Sequence, residues 1–237
     1  MHFPEEGTHL ERYAQVFQAV EINSSFYRPH KPSTYERWSN SVPEEFRFAV
    51  KIPKAITHVR RLVGTEGYLR DFLSECSHLG AKLGPLLVQL PPSLLFDART
   101  VDTFFTLLRA HFSGDVVCEP RHPSWFAPEP ESLLSSFHVA RVAADPHIVP
   151  EAAEPGGWSN LVYYRLHGSP RIYYSAYPHG YLQALAEKLT DKAASGCHVW
   201  CIFDNTAEGA AFADARSVMS MIGTVAIRQH QEELRDD

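Results

Sequence analysis

Carboxylate and imidazole side chains recur where short apolar runs of this 237-residue chain give way to polar residues. Glu21, Glu119 and His167 each come at the end of such a run. Groups of this kind, when partly shielded from water, are the usual proton carriers of enzymes. The sequence therefore predicts Glu119, His167 and Glu21 as catalytic acid/base groups.

Cations, amides and aromatic rings accompany these three groups and indicate a polar ligand. Arg121 and Arg165 suit a bidentate grip on a phosphate or carboxylate, and Lys51 would act as a point charge. Tyrosine and tryptophan rings after strands would wall the site and stack on a sugar or base. The predicted ligand-binding residues are Asn23, Tyr27, Lys51, Gln89, Arg121, His122, Trp125, Arg165, Tyr173, Tyr177 and Asn205. Together they favour a small anionic or sugar-like ligand.

A purely structural interpretation of the charged residues stays open. Glu21 with Lys51, and Glu119 with Arg165, could neutralise one another, because buried charges are costly unless they are paired. Lone histidines in loops, here His58, are also more often structural than functional. These alternatives concern single residues, whereas the convergence of several charges favours a site.

A divalent metal is a further alternative for the carboxylates and imidazole. Its ligands would be Glu119, Asp145 and His167, a mixed oxygen and nitrogen set. No H-x-H or H-E-x-x-H motif supports this set, so no cofactor is assigned from the sequence.

Seven short apolar runs are the elements that would position these groups, and they are predicted as strands. They cover residues 19–23, 47–52, 85–90, 115–119, 138–145, 161–167 and 198–205. Apolar residues at helical spacing separate most of them, and Ser33 with Glu36 has the spacing of a helix capping box. Continuous apolar strands alternating with helices are typical of parallel sheets buried on both faces. Because polar groups follow nearly every strand, a TIM-type (β/α) barrel is favoured over an open doubly wound sheet.

Domain boundaries follow from the same pattern. No break in composition divides the chain, so residues 8–225 are predicted as a single barrel domain. The charged residues 226–237 are predicted as a frayed tail. The pattern opens on a helix, so the barrel would lack its first strand and keep seven.

Net charge, cysteine content and hydropathy restrict the possible binding partners and the cellular compartment of the protein. A net charge of −6 and a pI of about 6.1 argue against broad nucleic-acid binding, which needs a basic face. The four cysteines form no C-x-x-C pair, which indicates reduced thiols in the cytoplasm. No apolar run approaches the length of a membrane helix, and the N-terminus lacks the pattern of a signal peptide.

Several multi-residue strings carry a family resemblance. They are VEINSSFYRP, RFAVKIPKAITH, LGPLLVQLPPS, EPRHPSWF, YYRLHGSPRIYYSAY and FDNTAEGAA. From about residue 8 to residue 222 the chain resembles the YecE-like family, also called domain of unknown function 72. The resemblance implies a TIM-type barrel whose activity is not established. The family pattern normally opens with a strand that ends in a Gly-Thr-Ser-Gly-Trp-like string, which this sequence lacks.

Three functions fit these observations. The first is an enzyme, of hydrolase or isomerase type, that acts on a small phosphorylated or sugar-like substrate. The second is a metal-dependent phosphodiester hydrolase on nucleic acid, with the basic loop Lys54–Arg61 as a backbone contact. The third is a non-catalytic barrel that binds a ligand or a protein partner.

Overall fold

The structure is a computed structural model that describes the backbone of residues 5–236 and the side chains of residues 5–223. The chain divides into two compact units, Met1–Val139 and Ala140–Asp237. The single domain expected over residues 8–225 stays a prediction. The side chains of the charged tail expected over residues 226–237 lie outside the described residues.

Parallel strands form the sheet of the first unit, in the order β1-β2-β3-β4. The strands are β1 (Ala19–Ile22), β2 (Arg47–Lys51), β3 (Leu83–Gln89) and β4 (Val116–Glu119). The helices are α1 (His9–Ala14), α2 (Pro32–Asn40), α3 (Glu66–Cys76), α4 (Ala98–His111) and α5 (Pro128–Ser136). Parallel neighbours need a crossover connection, which explains why helices separate successive strands.

The two faces of this sheet differ in chemistry. Val50, Val88 and Cys118 belong to the apolar cluster that also contains the buried residues of the helices. Side chains alternate along a strand, so the residues between them face the other way. On that second face the strands end in Lys51, Gln89 and Glu119, and the register sets Gln89 opposite Glu119. The sheet thus delivers polar side chains to one face at its carboxyl edge.

The N-termini of α1 and α2 are capped differently, and the difference corrects one prediction. A capping box opens α1, where Glu11 N donates to Thr8 Oγ1 at 3.3 Å and Thr8 N donates to Glu11 Oε2 at 2.6 Å. The capping box predicted at Ser33 and Glu36 is wrong, because α2 begins at Pro32 without a side-chain cap. Proline suits the first helical position because its missing N–H would have no helical partner there.

A second parallel sheet, in the order β6-β8-β9, organises the second unit. Its elements are β5 (Val139–Arg141), β6 (Ala143–Asp145), β7 (Gly156–Gly157), β8 (Leu161–Leu166), β9 (His198–Phe203), α6 (His179–Ala194) and α7 (Ala210–Asp236). The fifth predicted strand is therefore two short strands. One of them, β5, pairs antiparallel with β7.

The faces of the second sheet repeat the division seen in the first. Val162, Tyr164 and Leu166 pack into an apolar cluster with residues of α6 and α7. Tyr163 and Arg165 alternate with them and face the opposite side, where the Tyr163 ring stacks on Trp200 at 6.0 Å.

Parallel strands alternating with helices confirm the expected mixed α/β class, and each of the seven predicted strand regions contains a strand. In the part of the chain that the structure describes, no helix is both long enough and apolar enough to cross a membrane.

Candidate functional site

Glu119, at the end of β4, has its carboxylate enclosed by hydrogen-bond donors. Gln89 Nε2 donates to Oε2 at 3.0 Å, and Arg121 donates to Oε1 from Nε at 2.9 Å and from Nη2 at 2.7 Å. The residue is only 2% exposed. Because both oxygens are occupied, Glu119 is better suited to anchoring Arg121 than to carrying a proton.

Arg121 presents the free side of its guanidinium to solvent. Its side chain is 31% exposed, and within the described residues its Nη1 makes no hydrogen bond. A guanidinium fixed on one edge by a buried carboxylate loses little side-chain freedom when it binds an anion on the other edge. The predicted role of Arg121 in binding a phosphate or carboxylate stays a prediction, and this geometry is compatible with it.

Lys51, at the end of β2, supplies a second cation. Its Nζ lies 4.2 Å from the centroid of the Phe26 ring. Phe26 belongs to the short helical turn after β1, and Ser25 in the same turn places its Oγ 2.7 Å from the carbonyl of Lys51. Sequence reasoning missed Ser25 and Phe26, although the apolar-to-polar change in the string INSSFY marks the place.

His58 joins these cations although it lies in the loop after β2. It sits in a π-helical turn, Ala55–Val59, a form that is frequent at functional sites. Burial, with smaller contributions from the nearby charges of Lys51 and Arg121, lowers the pKa of His58 from its ordinary value. The site therefore holds a neutral imidazole beside two cations, which the sequence interpretation of a lone loop histidine did not foresee.

Three further predicted residues of the first unit have contrasting environments. Glu21 is 9% exposed and faces the same side of the sheet as Lys51, by alternation. Tyr27 is 70% exposed and meets the Phe26 ring edge-on. The buried Oδ1 of Asn23 has no hydrogen-bond partner among the residues described, so it is an acceptor to which a ligand could donate.

Trp125 and His122, both predicted to bind the ligand, make hydrogen bonds within the chain. Trp125 is fully buried in the core, and its Nε1 donates to the carbonyl of Leu94 at 2.8 Å. His122 Nδ1 accepts from the backbone N of Ser124 at 3.2 Å and so caps the turn Pro123–Trp125. The tryptophan thus packs in the core rather than in a wall open to a ligand.

The basic loop Lys54–Arg61 holds some of its charges against the chain. Arg60 Nη2 donates to the Tyr68 hydroxyl at 3.2 Å. Arg61 donates to the hydroxyl of Ser93 at 3.0 Å and to its carbonyl at 2.7 Å. These bonds reduce the number of cations that the loop offers to a nucleic-acid backbone.

In the second unit, His167 lies between a carboxylate and a guanidinium. Its Nδ1 is 3.1 Å from Asp204 Oδ2, and its Nε2 is 3.5 Å from Arg165 Nη1. Asp204 Oδ2 also lies 3.6 Å from Arg165 Nη2. An ionised carboxylate only accepts hydrogen bonds and a guanidinium only donates them, so these contacts favour a proton on Nδ1 and an acceptor at Nε2. Asp204 is absent from the predicted site set, and only its place at a strand end pointed to it.

The parallel ladder fixes this arrangement. His167 follows β8 directly, and its backbone N donates to the carbonyl of Asp145 at 2.7 Å. Asp204 follows β9 directly, and its backbone N donates to the carbonyl of Leu166 at 2.8 Å. The pairing therefore continues one residue beyond the strands and holds both side chains against rotation of the backbone.

Gly168 and Tyr177 tie down the loop that follows His167. Gly168 has φ +91°, and a Cβ there would lie 2.8 Å from the carbonyl oxygen of Ser175, so only glycine fits. Its N donates to the Tyr177 hydroxyl at 2.8 Å, and that hydroxyl donates to Asp145 Oδ1 at 2.9 Å. Burial is the main cause that raises the pKa of Tyr177, so the hydroxyl keeps its proton. Tyr177 is thus a buried residue that joins Gly168 to Asp145 through its hydroxyl, and its predicted role in binding the ligand stays a prediction.

Tyr173 and Asn205 complete the surroundings of His167. Tyr173 is 45% exposed, and its ring lies edge-on to the imidazole, with the ring centroids 5.9 Å apart. Asn205 is fully buried and donates from Nδ2 to the carbonyl of Ser175 at 2.9 Å and to Asp214 at 2.7 Å. Its Oδ1 has no partner within the described part of the chain.

Metal binding by the predicted set gains no support. Asp145 pairs in register with Leu166, so by alternation its side chain faces away from Arg165. Among the residues that the structure describes, no three His, Cys, Asp or Glu side chains are grouped to hold a metal ion.

Comparison with known proteins gives a family and no activity. The family model described as "Protein of unknown function DUF72" matches residues 2–235. UPF0759 protein YecE of Escherichia coli K12 is 34% identical over 156 residues, which cover 62% of this chain and 56% of that protein. UPF0759 protein YunF of Bacillus subtilis 168 is 32% identical over 139 residues, 55% of this chain and 49% of that protein. The chain thus spans about half the length of the curated relatives it matches.

Two crystal structures of DUF72 family proteins are similar over most of the chain. The protein from Enterococcus faecalis V583 has a TM-score of 0.79 at 21% identity and covers 91% of this chain and 88% of its own. The protein from Thermotoga maritima MSB8 has a TM-score of 0.78 at 23% identity, with 93% and 92% covered. At these identities the likeness shows a shared fold.

Proposed function

This chain belongs to the DUF72 family of proteins of unknown function, and from that premise we propose that it is an enzyme acting on a small anionic substrate by acid/base chemistry. The observation that carries the proposal is the His167–Asp204 pair beside Arg165, with Nδ1 and Oδ2 3.1 Å apart. An imidazole oriented by a carboxylate and adjacent to a guanidinium combines a proton acceptor with a stabiliser of negative charge.

A TIM-type (β/α) barrel is the fold we propose for this function. Parallel strands alternate with helices in both units, and each sheet buries one face under helices. The other face carries polar side chains at the carboxyl ends of the strands. In such barrels the carboxyl ends of the strands carry the active site.

The proposed chemistry at His167 is the transfer of one proton. Nε2 accepts a proton from the substrate, either from carbon next to a carbonyl or from a hydroxyl. Asp204 stabilises the imidazolium that forms, and Arg165 stabilises the negative charge that develops on the substrate. In the reverse direction the imidazolium returns the proton, which fits an isomerase or a hydrolase.

The first unit supports the anionic character of the substrate by itself. Arg121 offers the unbonded edge of its guanidinium, and the Lys51 ammonium group and the neutral His58 lie near it. Phosphate and carboxylate are the groups that such an arrangement binds best. In this account Glu119, which the sequence predicts as a proton carrier, serves instead to hold Arg121.

The experiment has two stages. Thermal shift of the wild-type chain against phosphorylated and carboxylated metabolites, with uncharged sugars as controls, identifies anionic ligands. Each ligand is then incubated with wild type and with His167→Asn, and turnover is followed by proton NMR. We expect stabilisation by anions only, turnover in the wild type, and loss of turnover with retained binding in the variant.

Turnover that survives His167→Asn would contradict the assignment of the proton carrier. Binding of an anion without turnover in any assay would instead support a non-catalytic binding protein. Stabilisation by uncharged sugars alone would contradict the anionic substrate class.

A further inference from the structure

A cavity of about 260 Å³ lies on the helix-covered face of the sheet β6-β8-β9. Its walls come from β6, β8, α6 and the segment after β6, and four alanines and two leucines form its apolar part. Tyr164 and Leu166 point towards it, whereas Arg165 alternates with them and faces the candidate site on the other side. The volume is just below the roughly 300–1,000 Å³ of common ligand pockets, which indicates a small ligand.

Two tyrosine hydroxyls of this cavity have no hydrogen bond within the described residues. Tyr164 is 4% exposed, and burial, followed by the nearby charge of Glu154, raises its pKa to about 12. Tyr181, on α6, stacks on Tyr177 with centroids 4.7 Å apart. Tyr164 lines the cavity and its hydroxyl has no partner in the described part of the chain, so it can hydrogen-bond to a ligand there.

The charged side chains around the cavity indicate the charge of the ligand that it would bind. Asp145 and Glu154 line it as carboxylates, Lys188 is a cation bonded to Glu154, and His147 adds an imidazole. Lys188 and Glu154 are about half exposed, at 51% and 57%, so they form a rim. Two carboxylates against one lysine leave a negative potential over two phenol rings, and both features attract organic cations.

We propose that this cavity binds a small organic cation, an amine or guanidinium group carried on an apolar body. Its N–H groups donate to the Tyr164 hydroxyl and to the Asp145 carboxylate, and its body packs on the alanines and on Tyr181. The proposal does not depend on the activity proposed for the opposite face of the sheet.

Calorimetric titration of the full chain tests this proposal with benzylamine and agmatine as probes. Benzyl alcohol, which has the shape of benzylamine without its charge, is the matched ligand control. We expect saturable binding of a cation and binding of benzyl alcohol at least about tenfold weaker. Tyr164→Phe removes one hydrogen-bonding group and should weaken cation binding about fivefold.

Matched variants separate the cavity from other surfaces. Tyr163→Phe makes the same chemical change on the opposite face of the same strand and should leave cation affinity unchanged. Ala184→Met, at an exposed position of the cavity wall on α6, should block binding without disturbing the core. Thermal melting of each variant checks that it folds.

Three results would overturn the proposal. The first is the absence of saturable binding of either cation to the wild-type chain. The second is equal affinity for benzylamine and benzyl alcohol. The third is cation binding that Ala184→Met and Tyr164→Phe leave unchanged in folded protein, which would place the ligand elsewhere.

Discussion

Glu119 in the first unit and His167 in the second occupy corresponding positions at strand ends, yet their surroundings prepare them for different work. Among the contacts of Glu119 are three hydrogen bonds from Gln89 and Arg121, which reach both of its oxygens. His167 has an acceptor, Asp204, 3.1 Å from Nδ1 and the guanidinium of Arg165 3.5 Å from Nε2. The comparison teaches that the type of residue at a strand end does not decide its role. The number and direction of its hydrogen bonds do.

The largest expected effect concerns His167. His167→Asn keeps a hydrogen-bonding group of similar size and removes the proton acceptor, so we expect turnover to fall by about 10²–10⁴-fold. Ligand affinity and the melting temperature should change little. Measured under the same conditions, Glu119→Gln should lose turnover only to the extent that it loses ligand affinity. An equal loss of kcat in both variants at saturating ligand would contradict the different roles given to His167 and Glu119.

Trp125 and Tyr173 test which aromatic ring is structural. Trp125→Ala removes a fully buried ring and should lower the free energy of unfolding by about 3–5 kcal/mol, as measured with urea. Tyr173→Ala, at an exposed ring beside His167, should change stability by less than about 0.5 kcal/mol. Ligand titration should show the opposite ranking. A small loss of stability in Trp125→Ala would contradict the core role of Trp125 and favour a role in ligand binding.

The effect of Glu119→Gln on the free energy of unfolding tests whether Glu119 holds Arg121 in place. The substitution leaves Arg121 without its anionic partner and sets an amide against a donor, at a cost of about 1–3 kcal/mol in the free energy of unfolding. Glu154→Gln is the matched control, because its ion pair with Lys188 is exposed and should be worth about 0–1 kcal/mol. Equal costs in the two variants would mean that the buried network does not hold Arg121.

The smallest effect is the pH dependence that His58 adds. Its pKa is lowered in the folded chain, so the unfolded chain binds the proton more tightly. Stability should therefore fall as the pH drops below the ordinary histidine value of about 6.5. Urea unfolding of wild type and His58→Asn across this range should show a shallower dependence in the variant. Because the ring is half-exposed, the difference should be small, and a steeper dependence in the variant would contradict the lowered pKa.

Much of the fold could be predicted because strands and helices leave local patterns. The apolar runs located a strand in every expected region, and Glu119, Arg121 and His167 lie at or just after the ends of two of these strands. The split of residues 138–145 into β5 and β6 left no such pattern. It depends on the antiparallel pairing of β5 with two glycines more than ten residues away.

The candidate site was harder to predict because its contacts are distant in sequence. Asp204 meets His167 across 37 residues, and no local pattern links them. His58 meets the Phe26 ring across more than thirty residues and resembled a lone loop histidine. Trp125 follows a strand, as a wall residue would, but its bond to the Leu94 carbonyl, 31 residues away, turns it into the core.

The most direct test of the central claim needs no substrate. Nitrogen-15 NMR of the imidazole rings reports which nitrogen of His167 carries the proton, in wild type and in Asp204→Asn. We expect the wild-type ring to be protonated at Nδ1 with Nε2 unprotonated at neutral pH, and the variant to lose this preference. A wild-type ring protonated at Nε2, or a tautomer that Asp204→Asn leaves unchanged, would contradict the role of Asp204 in preparing His167 to accept a proton.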